Sequence, residues 1–447
     1  MRKNAKEKPL NNSQLQYENE KRQEKRKTII TIVLIVVAAI VGVYAMFAML
    51  ERAAHRDPGY YKLEAPKSDS APLYAHDYTF EHYFAGESLE IKYAVDNCAK
   101  TYGDILLRIY KLTDAKNQYE NCKNIAYLNA HNGEEVELEK ELFDILSSAY
   151  ELTQAGMFNM FAGALNSSWS DIVYADDPAE FDPAVNEAQK ARIAAAVECM
   201  QANKLFSFEI VDAEKHIVRF NKTEEYAELL RANDFTETVI DLGLLRDAFV
   251  IDTVCALMEQ QGYDNGYMTS LSGVTKALSN MNAQGHEYVS YGLADGRAVQ
   301  AFSLPMMPNS ACCTLRSFGL EGELGYYTLQ TDEGELLRSP NYSITTGELY
   351  DDLLTACAYN ENGSAVETYL GAYNYISAIM IGIDEPWWTP SDRVDDYGTD
   401  AALVAFIMKD DSSTVFVPGK LMDKAKLLDE QAFSLSSLKG RTVVFVG

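Results

Sequence analysis

The chain has 447 residues, 47% of them hydrophobic, which is enough for one large domain or two with a sizeable core. Its formal net charge is −27, and a surface of that sign repels the phosphates of nucleic acids, so we exclude nucleic-acid binding. The seven cysteines form no CxxC pair and the six histidines show no metal-ligand spacing, which argues against a disulfide framework or a zinc site.

The N-terminal segment has the pattern of a membrane anchor. Residues 1–27 form a basic tail with nine Lys or Arg and four Glu, and residues 28–50 are uncharged and mostly apolar. At about 1.5 Å per residue this run exceeds the roughly 30 Å hydrocarbon core, although a buried core helix is the other interpretation. The positive-inside rule keeps the tail in the cytoplasm and exports the rest of the chain. We therefore predict a single-pass transmembrane signal anchor, not a cleaved signal peptide.

The remaining chain is predicted to be a stalk and one folded domain. Residues 51–76 contain three prolines and many polar residues, which predicts an extracytoplasmic stalk before a domain over 77–447. In that domain residues 87–95 alternate as a strand does, and apolar spacing predicts helices over 96–113, 136–154 and 185–203. Short strands are predicted at 205–211, 216–220, 286–294, 323–331, 353–359, 402–408 and 442–446. Helices and strands mix without strict alternation, which predicts an α+β fold with antiparallel sheets and packed helices.

One stretch, residues 239–274, reads as strand, turn, helix, turn, strand. Its helix carries apolar residues at helical spacing from Leu244 to Met258, and Gly262 follows the last turn. The N-terminus of such a helix binds anions through free backbone N–H groups and the positive end of the dipole. Asp247 nevertheless lies in the first turn, so the stretch is either a phosphate site or the remains of one.

Three segments, in order, carry a family pattern. A Ser–x–x–x–x–Asn run is similar to YENCKNIAYLN, and the pattern then continues as GxFNPTxGPLxxLW, DLGGIAKGYAVD and HIIDPRTG. The matching residues are Gly156, Phe158, Asn159, Gly163, Leu165 and Trp169, then Asp241, Leu242, Gly243 and Asp252, then Thr346 and Gly347. Residues 77–447 thus resemble the FAD:protein FMN transferases of the ApbE type.

The resemblance implies an ApbE-like domain that binds FAD with Mg²⁺, cleaves the pyrophosphate and moves FMN onto a Thr hydroxyl of a target protein. It places no catalytic residue with certainty. It does give family-equivalent cofactor-binding positions at Asn159, Asp241, Gly243, Asp247, Ser272, Gly273, Thr346 and Gly347, and a metal-binding position at Glu367, whose carboxylate is a hard oxygen donor. Glu367 could equally be a solvated charge on a helix face.

The ionic positions of the family pattern are replaced. Its helix-start lysine falls on Asp247, which the helix dipole favours by roughly 0.3–1 kcal/mol. A unit-charge contact near 4 Å is worth on the order of 4 kcal/mol at an effective dielectric of 20, so exchanging attraction for repulsion weighs heavily against phosphate binding. Arg246 is adjacent, but neighbouring helical positions point about 100° apart, so it is a poor substitute.

Further replacements affect the other charged positions. The resemblance implies a GGD motif after the strand that follows the helix, and here it becomes Ser272-Gly273-Val274, without the carboxylate. The His and Asp of HIIDPRTG become Pro340 and Ser343, and the Thr of the family's Mg²⁺ motif, AD-x-x-x-T, becomes Gly371. Residues that shape the backbone persist while residues that handle phosphate and metal do not.

Three functions remain open. We favour a membrane-anchored, non-catalytic ApbE-like protein that serves as a binding or assembly subunit for an exported or membrane protein, such as flavoprotein redox machinery. The alternative is an active flavin transferase that uses FAD and Mg²⁺ through Arg246 and Glu367, and a third is small-ligand binding without transfer. Two adjacent tryptophans at 387–388 are either an exposed interface anchor or a cover for the core edge.

Overall fold

The computed structural model describes residues 56–69, 71, 77–282, 285–332, 334–349, 353–380 and 402–437, together with scattered helical positions between 25 and 46. The chain divides into two compact units, residues 1–58 with 85–94, and residues 59–84 with 95–447. In the first unit the N–H of Arg56 donates to Ser88 Oγ at 2.7 Å. Within the described ranges no helix is long and apolar enough to span a bilayer, and the anchor predicted at 28–50 lies mostly outside those ranges.

The described ranges contain eight α-helices and seventeen β-strands. The helices are α1 Ser88–Leu112, α2 Ile125–Ala130, α3 Lys140–Gln154, α4 Gly163–Val173, α5 Glu187–Gln201, α6 Glu224–Ala232, α7 Arg246–Gln260 and α8 Ala365–Met380. The strands are β1 Gly59–Leu63, β2 Tyr78–Phe84, β3 Glu135–Glu137, β4 Phe206–Asp212, β5 Ile217–Lys222, β6 Gly266–Ser270, β7 Val274–Ala277, β8 Glu287–Ala294, β9 Arg297–Pro305, β10 Ala311–Arg316, β11 Tyr327–Thr331, β12 Gly334–Arg338, β13 Leu353–Asn360, β14 Leu403–Met408, β15 Thr414–Val417, β16 Lys426–Leu427 and β17 Ser434–Ser437.

A nine-stranded sheet organises the second unit. Its strand order is β1-β2-β6-β7-β10-β13-β14-β15-β17, and its neighbours pair antiparallel except for the parallel pair β15 and β17. Smaller antiparallel sheets are formed by β16-β9-β8, β3-β5-β4 and β11-β12. The α+β class with antiparallel sheets and packed helices is therefore confirmed.

The two central strands of the large sheet, β10 and β13, are buried along their whole lengths because both faces are covered. On one face Cys357 and Tyr359 pack against Phe302 of β9 in a shared apolar cluster. On the other face α8 approaches so closely that a Cβ at Gly371 would lie 2.7 Å from the Cβ of Ala402 and 3.7 Å from that of Ala358.

Several sequence predictions are corrected here. Of the residues predicted as a strand at 87–95, all but the first are helical, because the apolar stripe of α1 continues through Cys98, Tyr102 and Leu106 at helical spacing. Glu90 accepts the N–H of Glu87 at 3.3 Å, just before the helix begins. The predicted helix 136–154 begins only at Lys140, after the short strand β3. Residues 239–240 form no regular strand but lead into an isolated parallel bridge between Asp241 and Phe161.

The boundary of the domain also differs from the sequence prediction. Strand β1 falls inside the predicted stalk, so the sheet starts at residue 59 and not after residue 76. The remaining helices and most of the short strands lie where the sequence placed them. The strand predicted at 442–446 and the tryptophan pair at 387–388 lie outside the described residues.

Candidate functional site

The turn that enters α7 is fixed by close backbone packing. The N–H of Gly163 donates to the carbonyl of Val239 at 3.1 Å, and a Cβ at Gly163 would lie 2.4 Å from the carbonyl oxygen of Thr238. Gly243 adopts a φ of +50°, and a Cβ there would lie 2.5 Å from Asn166 Nδ2. Glycine is needed at both positions because any larger residue would displace the turn.

A buried asparagine that the sequence prediction did not single out holds the same turn. Asn129 lies in the last turn of α2. It donates through Nδ2 to the carbonyl of Ile240 at 2.9 Å, and its Oδ1 accepts the N–H groups of Val239 and Ile240 at 3.2 and 2.9 Å. Asn124, at the other end of α2, caps the helix by accepting the N–H of Tyr127 at 2.9 Å. Asn124 and Asn129 stand at the two ends of the Ser–x–x–x–x–Asn pattern, and both side chains form hydrogen bonds with backbone groups.

Trp169 connects α4 to the loop 340–347. Its Nε1 donates to the carbonyl of Gly347 at 2.8 Å, and its ring stacks on Tyr342 with 6.1 Å between centroids. The hydroxyl of Tyr342 donates to Asn166 Oδ1. Gly347 has a φ of +74° and a Cβ there would lie 2.8 Å from Ile193 Cγ2. Two of the retained family positions thus contact each other directly.

The loop 340–347 is stabilised internally at the position of the family's aspartate. Ser343 Oγ accepts the N–H groups of Thr345 and Thr346 at 3.1 Å each. The exposed Thr346 accepts the N–H of Glu348 through its own hydroxyl at 3.3 Å. A short serine therefore supplies the acceptor that the turn needs, without a charge.

Asp241 is occupied by the turn itself. Its Oδ1 accepts the N–H of Gly243 at 2.8 Å, and burial raises the pKa of its carboxyl above the ordinary value. A carboxylate used in this way stabilises the entry to α7 and presents no positive group to a phosphate.

Asp247 is paired with the neighbouring strand. The Tyr78 hydroxyl donates to Asp247 Oδ1 at 2.7 Å. Burial, and then the Asp247 carboxylate, raise the pKa of Tyr78 well above its ordinary value, so Tyr78 stays protonated as the donor. Arg246 lies over the ring of Tyr110, 4.2 Å from its centroid, and donates to Thr113 Oγ1 at 3.3 Å. Its guanidinium is thus held against α1, as the helical geometry predicts.

The Ser272–Gly273–Val274 segment is the turn and first strand position between β6 and β7. Ser272 Oγ lies 2.7 Å from Ser270 Oγ. Gly273 has a φ of +85°, and a Cβ would lie 2.4 Å from the carbonyl oxygen of Thr314. Val274 is fully buried opposite Cys313 of β10. An apolar side chain suits that position, where an unpaired carboxylate would be costly.

Glu367 forms a capping box at the start of α8. Its carboxylate accepts the N–H of Ser364 at 3.0 Å, and Ser364 Oγ accepts the N–H of Glu367 at 3.0 Å. Its side chain is exposed, and no three His, Cys, Asp or Glu side chains converge as metal ligands anywhere in the described ranges. In this structure the Glu367 carboxylate is therefore engaged as a helix cap.

The same helix start carries a partly buried ion pair. Asp252 accepts the N–H groups of Ala365 and Val366 at 2.8 and 3.0 Å and pairs with Lys276 Nζ at 2.8 Å. Burial lowers the pKa of Lys276, but the Asp252 carboxylate outweighs burial and raises it above the ordinary value. This lysine is thereby committed to Asp252 and to the packing of α7 on α8.

Two cavities lie beside these elements. An apolar pocket encloses about 10 Å³, roughly the room of one water-sized probe and far below the 300–1,000 Å³ of small-molecule sites. It is lined by Phe158, Ala162, Asn166, Leu244, Leu245, Tyr342, Ile344, Tyr369, Leu370 and Tyr373. None of these side chains is basic, so this pocket does not fit a dinucleotide.

The second cavity is a polar cleft of about 550 Å³ between the ends of α3 and α5 and strand β4. Asn159 lines it, and Asn159 Oδ1 also accepts the N–H of Phe161 at 2.9 Å. Gln201, on the same cleft, donates to the carbonyl of Thr345 at 3.4 Å. Neither cavity is lined by Asp247, Val274 or Glu367, so the structure does not bring these three side chains together in either one.

The chain is similar to proteins of the ApbE family in sequence and in fold. The sequence model of the ApbE family matches residues 86–293. Among solved structures, the ApbE protein of Thermotoga maritima is 12% identical with a TM-score of 0.50, and the match covers 82% of this chain and 99% of that one. The flavin transferase ApbE from Vibrio cholerae is 14% identical with a TM-score of 0.48, over 84% of this chain and 98% of that one. A comparison with curated protein sequences found no match.

Proposed function

The chain belongs to the ApbE family through residues 86–293, and from that premise we propose that it is a non-catalytic member that acts as a binding or assembly subunit. The observation that carries the proposal is that the positions expected to handle phosphate and metal hold side chains engaged elsewhere. Asp247 bonds Tyr78, Val274 is buried in a strand, and Glu367 caps a helix.

The electrostatics support this proposal. A dinucleotide carries two phosphates, and their transfer chemistry requires cations and preorganised donors where charge shifts. Two cations on or beside α7 are engaged in other contacts: Arg246 with Thr113 and the ring of Tyr110, and Lys276 with Asp252. Active transfer through Arg246 and Glu367 would require both side chains to leave these contacts.

A transfer assay tests the proposal directly. Purified protein is incubated with FAD, MgCl₂ and a Thr-containing acceptor peptide, and the mass of the peptide is measured by mass spectrometry. An active flavin transferase of this fold is the positive control. We expect no FMN on the peptide and a flat FAD fluorescence titration. Mg²⁺-dependent addition of FMN to the Thr hydroxyl would overturn the proposal.

We further propose that residues 28–50 anchor the protein in the membrane with the ApbE-like domain outside the cytoplasm. The support is the uncharged run of these residues, the basic tail before it and the acidic remainder of the chain. Protease added to intact spheroplasts should digest the domain and spare the tail. A domain protected until the membrane is permeabilised would contradict this orientation.

A further inference from the structure

The outward face of the α1 start carries two large apolar side chains. Leu89 and Tyr93 are 61% and 62% exposed, and because they are four residues apart on a helix they lie on the same face. Ile91, midway between them in sequence and about 160° away around the helix, is buried. The first turns of α1 therefore bury one face and leave the other, which we call the 89/93 face, exposed among the residues that the structure describes.

The 89/93 face belongs to the same compact unit as the predicted membrane anchor, since residues 85–94 group with residues 1–58. The other large apolar side chains that are exposed in the described part of this unit all lie within the predicted anchor, at Ile35, Val37, Val41, Val43, Tyr44 and Met46. A single exposed leucine is ordinary in a soluble domain. Exposed apolar side chains that share a unit with a membrane anchor indicate a lipid surface as their common environment.

The length of the connecting chain holds the 89/93 face close to the membrane. The predicted anchor ends at Leu50, and the N–H of Arg56 is hydrogen-bonded to Ser88, the first residue of α1. Even fully extended, residues 51–56 span at most about 20 Å. The headgroup layer extends roughly 5–7 Å beyond the hydrocarbon core on each side of a bilayer. The start of α1 is therefore confined to a narrow zone beside the headgroups when the anchor is inserted.

The charges around the 89/93 face nearly balance, unlike those of the chain as a whole. In residues 56–58 and 85–94 two cations stand against three carboxylates, namely Arg56, Lys92, Asp57, Glu87 and Glu90. The carboxylate of Glu90 also accepts the N–H of Glu87. This segment therefore lacks the strong negative charge with which the rest of the chain repels anionic lipid, and apolar contact determines its affinity for a bilayer.

We propose that the 89/93 face docks on the lipid surface of the membrane that holds the anchor, with Leu89 and the ring of Tyr93 in the headgroup layer. The docking rests on the membrane anchor proposed above. Tyrosine is favoured in this layer because its ring is apolar and its hydroxyl is polar. Two side chains alone bind a bilayer weakly, but the anchor makes their contact intramolecular, so a weak interaction is enough to hold the start of α1 on the membrane.

A fluorescent probe at position 93 tests the docking in the full-length protein. Of the seven cysteines, all within the described residues, Cys122 alone is not buried, so Cys122→Ser provides a background in which Tyr93→Cys is labelled with an environment-sensitive dye. The protein is reconstituted into phosphatidylcholine vesicles that contain a lipid with a nitroxide quencher just below its headgroup. We expect emission at a shorter wavelength than in water and strong quenching by the nitroxide lipid. The same dye on Lys92→Cys, an exposed position about 100° away around the helix, should be quenched less.

A substitution at Leu89 separates docking from mere proximity to the membrane. Leu89→Ser in the protein labelled at position 93 should lower the quenching and shift the emission to longer wavelength, because half of the apolar contact is lost. The side chain of Leu89 is mostly exposed, so this substitution leaves the packing of α1 unchanged. Leu324→Ser, at a position 79% exposed in the second unit, is the matched control and should leave the quenching unchanged.

Flotation of the vesicles distinguishes failure of the docking from failure of the anchor. Protein that does not float with the vesicles would overturn both. Protein that floats but shows equal quenching at positions 92 and 93, or quenching that Leu89→Ser does not change, would overturn the docking and leave the anchor standing. Emission at a short wavelength without quenching by the nitroxide lipid would also overturn it, and would mean that a second copy of this chain covers the 89/93 face.

Discussion

Two groups of positions from the same family pattern behave differently in this molecule. The first group, which includes Gly163, Trp169 and Gly243, is retained, and each member is fixed by a contact that another residue could not make. The second group, which includes Asp247 and Val274, has changed chemical type, and each new residue is accommodated by its surroundings. The backbone of the site has thus been kept while its charges have been exchanged.

The difference shows which constraint acts on which position. A glycine that faces a carbonyl at 2.4 Å is required by the fold whatever the protein does. A lysine at a helix N-terminus interacts unfavourably with the helix dipole, so we expect one there only where it has a function. Substitutions at positions of both groups therefore test whether the fold or the function fixes each residue.

The largest effect is expected from restoring the family's carboxylate at Val274. Val274→Asp should lower the free energy of unfolding by about 3–5 kcal/mol, because the charge would be buried without a partner. Val274→Thr, of nearly the same shape, should cost only about 1–3 kcal/mol. Urea unfolding followed by circular dichroism measures both. If Val274→Asp is as stable as the unchanged protein, then water or a cation reaches the side chain at this position.

Gly163→Ala tests the retained group. The added Cβ would lie 2.4 Å from the carbonyl oxygen of Thr238, and we expect a loss of about 3 kcal/mol, at the upper end for overpacking. Gly419→Ala is the control, since nothing lies within 4 Å of its Cβ and it should be neutral or gain up to about 1 kcal/mol. Similar midpoints for both variants in urea would contradict the steric account.

Tyr78→Phe removes the donor to Asp247. We expect a loss of about 1–2 kcal/mol, because Asp247 is only half-buried and water can replace the hydroxyl. A double-mutant cycle with Asp247→Ala, which removes the acceptor, isolates the pair, since the effects of contacting residues do not add. Strictly additive losses in thermal unfolding would mean that the hydrogen bond contributes nothing.

The smallest effect is expected at the start of α8. Glu367→Ala should cost about 1 kcal/mol through loss of the helix cap, whereas Glu367→Gln preserves the capping box and should be nearly neutral. Thermal unfolding of both variants is compared with and without MgCl₂, which should make no difference. A stabilisation by Mg²⁺ that both substitutions abolish would instead identify Glu367 as a metal ligand.

Apolar periodicity predicted much of the fold and failed where two periods coincide. Residues 185–203 and 353–359 were placed correctly because each has one clear pattern. Leu89, Ile91, Tyr93 and Val95 fit a period of two, and only the continuing stripe beyond them decides for a helix. The stalk was misjudged at β1 because an edge strand gains its stability from its neighbour, which a local window does not contain.

The site was predictable in position but not in contacts. The sequence indicates that residue 247 carries a negative charge where the family pattern has a positive one. It also indicates that Arg246 points about 100° away from residue 247 around the helix. It gives no sign that Tyr78, some 170 residues earlier, would be the partner of Asp247, because that contact depends on how β2 lies beside α7. Asn129 could have been identified as the last residue of the Ser–x–x–x–x–Asn pattern. Its hydrogen bonds to residues 239–240 could not, because they join segments more than 100 residues apart in the sequence.

The first strand of the sheet has a practical consequence for any shortened form of the protein. Tyr60 of β1 stacks edge-on against Tyr83 and His286, and its hydroxyl donates to Asn265 Oδ1 at 3.1 Å. A truncation at residue 77 would strip this strand and leave the N–H and C=O groups of β2 open to other chains, which is a route to aggregation. A shortened protein should therefore start no later than residue 56. We expect a form that starts at residue 77 to be less soluble, because it lacks β1.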